Sequence, residues 1–163
     1  MGQKTLLEKY CIDTSAILDF WSNDRYTPYP LKVGKFMQLW KFIEVKVTEG
    51  VIVIPKVVHS ELTTRNKELK EWLNKNKKSF IDEREYIPEL KSIVNHEDFY
   101  TTDRASLNDA HIIAIAMGRR ITVVTSEKYD NTPSKVKPKI PNICEALSVD
   151  CINLSDFFER EGQ

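Results

Sequence analysis

The sequence predicts an α/β protein, a three-layer α/β/α sandwich around a central, mainly parallel sheet of four to five strands. Short apolar and β-branched runs alternate along the chain with longer segments whose apolar residues recur at helical spacing. Strands that alternate with helices pair in parallel through right-handed crossovers. At 163 residues the chain has the length of one ordinary domain, so we expect a single domain over 1–163.

Four apolar runs are predicted as strands. Gly50 and Pro55 bound the second run, and its β-branched residues are typical of a buried strand. The first run ends at an acid, Asp13, and the third is followed by polar residues. In chain order the predicted strands are 10–13, 51–54, 121–125 and 151–154.

The helices are predicted from apolar spacing and from residues that favour helix ends. Thr14 or Ser15 can cap the first helix. Pro55 suits the first turn of the third helix, Gly118 can end the most apolar one, and Ser155 can cap the last. The predicted helices are 16–21, 31–47, 55–62, 67–76, 85–97, 106–117, 143–147 and a closing helix from 155, with a loop at 23–30.

Composition excludes several classes of protein. The 24 Lys and Arg balance the 24 Asp and Glu, which argues against a protein that binds nucleic acid by net charge alone. The five glycines are scattered, whereas the dinucleotide-binding turn and the P-loop need clustered glycines. The three cysteines form no C-x-x-C pair, so no disulfide framework or structural zinc site is expected. No apolar run is long enough for a membrane span or a signal peptide, so we expect a soluble cytoplasmic protein.

The charges that cancel in total are segregated along the chain. Residues 65–78 hold six Lys or Arg against two Glu, and 128–139 hold four Lys against one Asp. Between them, 80–109 hold eight acids against three bases. Solvated helix surface is one interpretation of 65–78, and contact with RNA phosphates is the other. The pattern suits an acidic pocket that is flanked by basic surface.

Four acids are expected near the carboxyl ends of the strands, where open parallel sheets bind ligands. Asp13 is the last residue of the first predicted strand, Glu127 follows the third, and Glu61 lies on the helix after the second. Asp109 interrupts an apolar helix, where a carboxylate must be paired, protonated or bound to a cation. Each acid alone also has a simpler interpretation, as a helix-capping, dipole-stabilised or solvated side chain.

Taken together, the four acids indicate a metal site. Converging carboxylates repel one another unless a divalent cation neutralises them. Oxygen ligands without histidine or cysteine suit Mg²⁺ or Mn²⁺ better than zinc. Such ions activate water and stabilise in-line displacement at phosphorus, so the acids indicate a nuclease.

The acids lie in four motifs whose order resembles that of the PIN domain over nearly the whole chain. The motifs are Ile12-Asp13-Thr14-Ser15, Pro55-x-x-Val58-x-x-Glu61-Leu62, Asn108-Asp109 followed by Ile112 and Ala116, and Val124-Thr125-x-Glu127. PIN domains are metal-dependent ribonucleases, and they include the toxins of VapBC-type toxin–antitoxin pairs. The resemblance therefore implies a PIN-like fold and a metal-dependent endoribonuclease.

The resemblance also implies roles for individual residues. The catalytic, metal-holding acids would be Asp13, Glu61, Asp109 and Glu127, and the hydroxyls that orient the carboxylates or metal-bound water would be Thr14, Ser15 and Thr125. The implied cofactor is Mg²⁺ or Mn²⁺, the substrate RNA, and the partners a small antitoxin protein and a second copy of the chain. The fourth acid is usually Asp in this family, so Asp130 is an alternative to Glu127.

Two other functions remain open at the level of the sequence. One is a PIN-like module that binds RNA or a protein without cleaving it, which the departure at Glu127 suggests. The other is a nuclease that acts on DNA or on flap structures. Neither of them changes the predicted fold.

Overall fold

The structure, a computed structural model, describes most of the chain. The described residues are 7–21, 33–63, 67–77, 80–97, 104–133 and 137–162. The loop predicted at 23–30 and the first two residues of the helix predicted at 31–47 lie outside them, as do 65–66, 78 and 134–136 of the two basic segments.

Within the described residues, five parallel strands form the central sheet. They are β1 (Tyr10–Ile12), β2 (Ile52–Pro55), β3 (Phe80–Ile81), β4 (Thr122–Val124) and β5 (Cys151–Ile152). Their order is β3-β2-β1-β4-β5, and every neighbouring pair is parallel. β1 is central, because Cys11 lies opposite Val53 on one side and opposite Val123 on the other.

Eight described helices surround the sheet. They are α1 (Thr14–Trp21), α2 (Val33–Thr48), α3 (Lys56–Thr63), α4 (Lys67–Lys75), α5 (Ile87–Val94), α6 (Arg104–Arg119), α7 (Ile140–Ala146) and α8 (Leu154–Glu161), with a 3₁₀ turn at Glu83–Tyr86. α6 contacts α5 and α7, whereas α2 meets α8 through Phe42 and Phe157, whose ring centroids are 6.0 Å apart. The predicted α/β/α sandwich is confirmed. None of the described helices is long and apolar enough to cross a membrane.

The structure differs from the predictions at three places between the second strand and α5. Pro55 does not begin a helix: it is the last residue of β2, where it lies opposite Ile81, and α3 begins at Lys56. β3 was not predicted, because two residues give no periodic signal. The helix predicted at 85–97 is shorter, since it divides into the 3₁₀ turn and α5.

Three helix ends also differ from the sequence predictions. Asp13, rather than Thr14 or Ser15, precedes α1 and caps it, because its carbonyl accepts the amide of Ile17 at 3.2 Å and its Oδ2 accepts the amide of Ser15 at 3.3 Å. Asn153, rather than Ser155, caps α8 through a 2.9 Å bond from the Asp156 amide.

Gly118 lies inside α6 rather than at its end, because the helix extends to Arg119. A Cβ at this position would come within 2.5 Å of the Tyr86 ring, so glycine allows the close approach. The residue after the helix, Arg120, adopts the left-handed conformation, with a φ of 54°.

The topology creates one crevice at the carboxyl edge of the sheet. From β1 the chain proceeds to β2 and β3 on one side, and later to β4 and β5 on the other side. The connections that leave β1 and β4 therefore diverge, and ligands bind at such switch points in open parallel sheets. α6 lies across β1, β2 and β4, and its residues Ala110 and 112–116 are fully buried.

Candidate functional site

Asp13 lies at the switch point, directly after β1. Its side chain is only 4% exposed, and its Oδ2 atom accepts hydrogen bonds from the hydroxyls of Ser15 and Thr125, the latter at 2.9 Å. Burial raises the pKa of Asp13, the two hydroxyl bonds lower it, and the charge of Glu127 raises it again. Burial and the charge of Glu127 together therefore outweigh the hydrogen bonds that favour the charged form of Asp13.

The same two hydroxyls connect Asp13 to the segment after β4. The Ser15 hydroxyl accepts the amide of Ser126 at 3.1 Å, and the Thr125 hydroxyl accepts the amide of Glu127 at 3.1 Å. Each hydroxyl can do this because it donates its proton to Asp13 and still has lone pairs to accept a bond. The ends of β1 and β4 are thereby held together, with Glu127 beside Asp13.

Glu61 is held between two other elements. Its Oε2 accepts the hydroxyl of Thr14 on α1, and its Oε1 accepts the side-chain amide of Asn108 on α6 at 2.8 Å. These bonds follow from packing, since α3 contacts both α1 and α6. Thr14 thus orients a carboxylate, but that of Glu61 rather than that of Asp13.

Glu127 is bound at the start of α7. Its Oε2 accepts the backbone amide of Ile140 at 2.8 Å, and its Oε1 lies 4.0 Å from the Lys139 ammonium. A carboxylate is favoured there because the first amides of a helix have no partners within it. Glu127 therefore connects the end of β4 to α7.

Asp109, in the second turn of α6, carries a strongly perturbed carboxyl group. Its pKa is raised from 3.8 to about 8, chiefly because burial disfavours the charged form, and then because Asp13, Glu127 and Glu61 repel it. Lys139 acts in the opposite direction. No donor in the described part of the chain hydrogen-bonds its carboxylate.

The four acids are thus brought to one edge of the sheet, near enough for their charges to act on Asp109. They do not form a closed coordination shell: among the described residues, no three acidic, histidine or cysteine side chains are close enough to hold a metal ion. The carboxylates of Glu61 and Glu127 each accept hydrogen bonds from other residues, whereas that of Asp109 accepts none from the described residues.

Asp130, the alternative fourth acid, belongs to its own loop. Its carboxylate accepts the amide of Thr132 at 2.9 Å, while its backbone amide and carbonyl pair with the Asn142 side chain at 2.9 and 2.8 Å. These are the bonds of a loop-stabilising aspartate. The geometry favours Glu127 over Asp130 as the fourth acid of the cluster.

Sequence reasoning assigned no role to Asn108 or Lys139, which contact Glu61 and Glu127. Asn108 directly precedes Asp109 on α6, so the two side chains leave the helix about 100° apart. Asn108 can therefore contact Glu61 from a different side of the helix. Lys139 comes 12 positions after Glu127 in the sequence, and only the return of the chain to α7 brings them together.

Fold and site together define an α/β sandwich with a cluster of carboxylates at the switch point of a parallel sheet. The chain belongs to the family described as Domain of unknown function (DUF4411), whose model matches residues 10–163. A comparison of the chain with curated proteins found no significant match. The family description names no activity, so the similarity to PIN domains stays a prediction.

Proposed function

We propose that this protein is a metal-dependent endoribonuclease of PIN-like type. The observation that supports this most is Asp109, a partly buried carboxylate that three other acids repel and that no described donor hydrogen-bonds. A cluster of this kind is a cost to the fold unless a cation compensates it. Its position at the switch point is where a ligand would have access to it.

The donor chemistry of the cluster fits Mg²⁺ or Mn²⁺. All four candidate ligands are carboxylates, and hard divalent cations prefer oxygen donors. Asp13 and Asp109 would hold the ion, with Glu127 and Glu61 completing its surroundings. When bound, such an ion activates water and stabilises the charge that develops at phosphorus.

The remaining contacts would position these ligands. The hydroxyls of Ser15 and Thr125 both bond the Oδ2 atom of Asp13 and so fix the orientation of its carboxylate. Thr14 and Asn108 hold both oxygens of Glu61 and so fix its orientation. Glu61 would then act as the acceptor that orients an attacking water molecule, while Lys139 would attract the substrate phosphate.

We further propose that the protein acts in the cytoplasm as the toxin of a toxin–antitoxin pair, with a small antitoxin protein as its partner. This part of the proposal rests on the ordered motifs around Asp13, Glu61, Asp109 and Glu127. A homodimer is the assembly that we propose for it. Size-exclusion chromatography with light scattering tests the homodimer. The same measurement with the product of a small neighbouring gene added tests the antitoxin partner.

The decisive experiment is cleavage of single-stranded RNA and of DNA of the same sequence, with Mn²⁺ and with EDTA. We expect the protein to cleave RNA in Mn²⁺, to stop in EDTA and to resume when Mn²⁺ is restored. Preferential cleavage of the DNA would instead support a DNA or flap nuclease. No cleavage together with no heat of Mn²⁺ binding in calorimetry would support the non-catalytic binding module, and the proposed function would be wrong.

Paired substitutions at 127 and 130 distinguish the two candidates for the fourth acid. Glu127→Gln should lower RNA cleavage about tenfold or more, a typical effect of changing a group next to a metal. It should also lower the pKa of Asp109, because a repelling charge is removed. Asp130→Asn should leave cleavage and that pKa unchanged. Cleavage rates and carboxyl NMR titrations measure both effects, and the reverse result would assign the fourth acid to Asp130.

A further inference from the structure

The chain next to the acidic cluster carries an exposed basic surface. It leaves the cluster after Glu127 and returns to it at Ile140, whose amide is bound to that carboxylate at 2.8 Å. The described part of these two arms carries three exposed lysines and an exposed tyrosine, which we call the basic rim: Lys128, Tyr129, Lys137 and Lys139. Residues 134–136 lie outside the described residues and are not part of the rim.

The rim is held in place by hydrogen bonds on both arms. The Asn142 side chain bonds the backbone of Asp130 at 2.9 and 2.8 Å, so the outgoing arm is fixed to α7. The Glu127–Ile140 bond fixes the returning arm at the position of Lys139. The rim is therefore an ordered border of the acidic cluster.

Tyr129 is the unusual member of the rim. Tyr129 is 51% exposed as a residue, although its hydroxyl donates a 2.6 Å bond to Glu145 on α7. The bond fixes the ring but does not cover it, so a flat aromatic face is held toward solvent next to lysines. Exposed aromatic faces among cations are how proteins bind unpaired bases, which offer a π-face to stack on.

We propose that the basic rim binds single-stranded RNA, with its lysines on phosphates and the Tyr129 ring against a base. This inference rests on the proposed function, for which it specifies the path of the substrate. Lys139 connects the basic rim to the acidic cluster, because its ammonium lies 4.0 Å from the Oε1 atom of Glu127 and its charge lowers the pKa of Asp109. A strand along the rim would bring one phosphate to the acids.

The other basic segment, 65–78, gives a matched comparison. Lys70 and Lys75 on α4 are exposed as the rim lysines are, but α4 packs on α3, and no exposed aromatic side chain lies beside them among the described residues. The rim is therefore the surface we expect RNA to use, and α4 supplies the control variants.

The test is fluorescence anisotropy with a short, fluorescein-labelled RNA in EDTA, so that binding is measured without cleavage. Tyr129→Ala should weaken binding about tenfold, the usual effect of losing one stacked base. Tyr129→Phe should bind more tightly than Tyr129→Ala, because the ring remains although its bond to Glu145 is lost. Lys137→Ala should reduce the slope of log affinity against log salt by about 0.7, which corresponds to one single-strand phosphate. Lys70→Ala and Lys75→Ala should change neither quantity.

Three results would overturn the inference: no RNA binding by the parent protein, unchanged binding by the rim variants, or equal affinity for DNA of the same sequence. Circular dichroism checks that each exposed substitution leaves the fold intact. Cleavage in Mn²⁺ that the rim variants do not impair refutes the rim and leaves the proposed function in place. Binding that depends on the rim, without cleavage in Mn²⁺, supports the rim and refutes the proposed function.

Discussion

Asp13→Asn is expected to reduce Mn²⁺-dependent RNA cleavage by about a thousandfold or more, with little change in the fold. Direct stabilisation of developing charge by a metal is worth several kcal/mol, and each 1.4 kcal/mol of barrier is a factor of about ten in rate. The asparagine side chain would lack the negative charge but keep an oxygen. That oxygen can still cap α1 and accept the hydroxyls of Ser15 and Thr125, since Asn caps helices as well as Asp does.

Single-turnover cleavage of end-labelled RNA measures this loss, and thermal unfolding in EDTA measures the fold. Asp156→Asn is the matched control, because Asp156 is an exposed acid in the first turn of α8 and is not among the groups that chiefly shift the pKa of Asp13 or Asp109. The control should cleave at the parent rate. If Asp13→Asn cleaves as fast as the parent protein, the carboxylate has no part in the reaction.

The fold could be predicted from the sequence because its signals are local. The β-branched run before Pro55 and the apolar run at Tyr10–Ile12 lie where strands form, and their alternation with helical segments determines parallel pairing. β3 has only two residues and is defined by pairing with β2, which is a tertiary interaction. Helix ends were the least predictable feature. Asp13 caps α1 and Asn153 caps α8, and each stands next to residues that are equally good caps.

The positions of the acids could also be predicted, because the carboxyl edge of a parallel sheet collects the residues that follow its strands. Their hydrogen-bond partners could not. Asn108 meets Glu61 only because α6 packs against α3, and Ile140 meets Glu127 only because the chain returns after a loop. The sequence suggested that Asp109 must be compensated, and the structure adds that its repulsion comes from the other three acids.

The buried and repelled charge of Asp109 should make the metal-free protein less stable as the pH rises. Its pKa is about 8 in the folded protein, well above the ordinary value of 3.8 that the unfolded chain has. Between these two values the folded state retains a proton that the unfolded state has released. The free energy of unfolding therefore falls as the pH rises from about 4 to about 8. Asp13, whose pKa burial also raises, contributes with the same sign.

Asp109→Asn should consequently stabilise the metal-free protein while it abolishes metal-dependent cleavage. Because no described donor is lost with the carboxylate, and each of the roughly four pKa units corresponds to about 1.4 kcal/mol, we expect a gain of up to about 5 kcal/mol at pH 8 and almost none at pH 4. Urea unfolding in EDTA across this range measures the gain, and the difference between the parent and variant profiles cancels the groups they share. Saturating Mn²⁺ should stabilise the parent protein but not the variant. A charge that serves to bind a cation destabilises the fold when the cation is absent, so its removal should raise the stability. A variant that is less stable than the parent at pH 8 would therefore show that Asp109 is a structural acid.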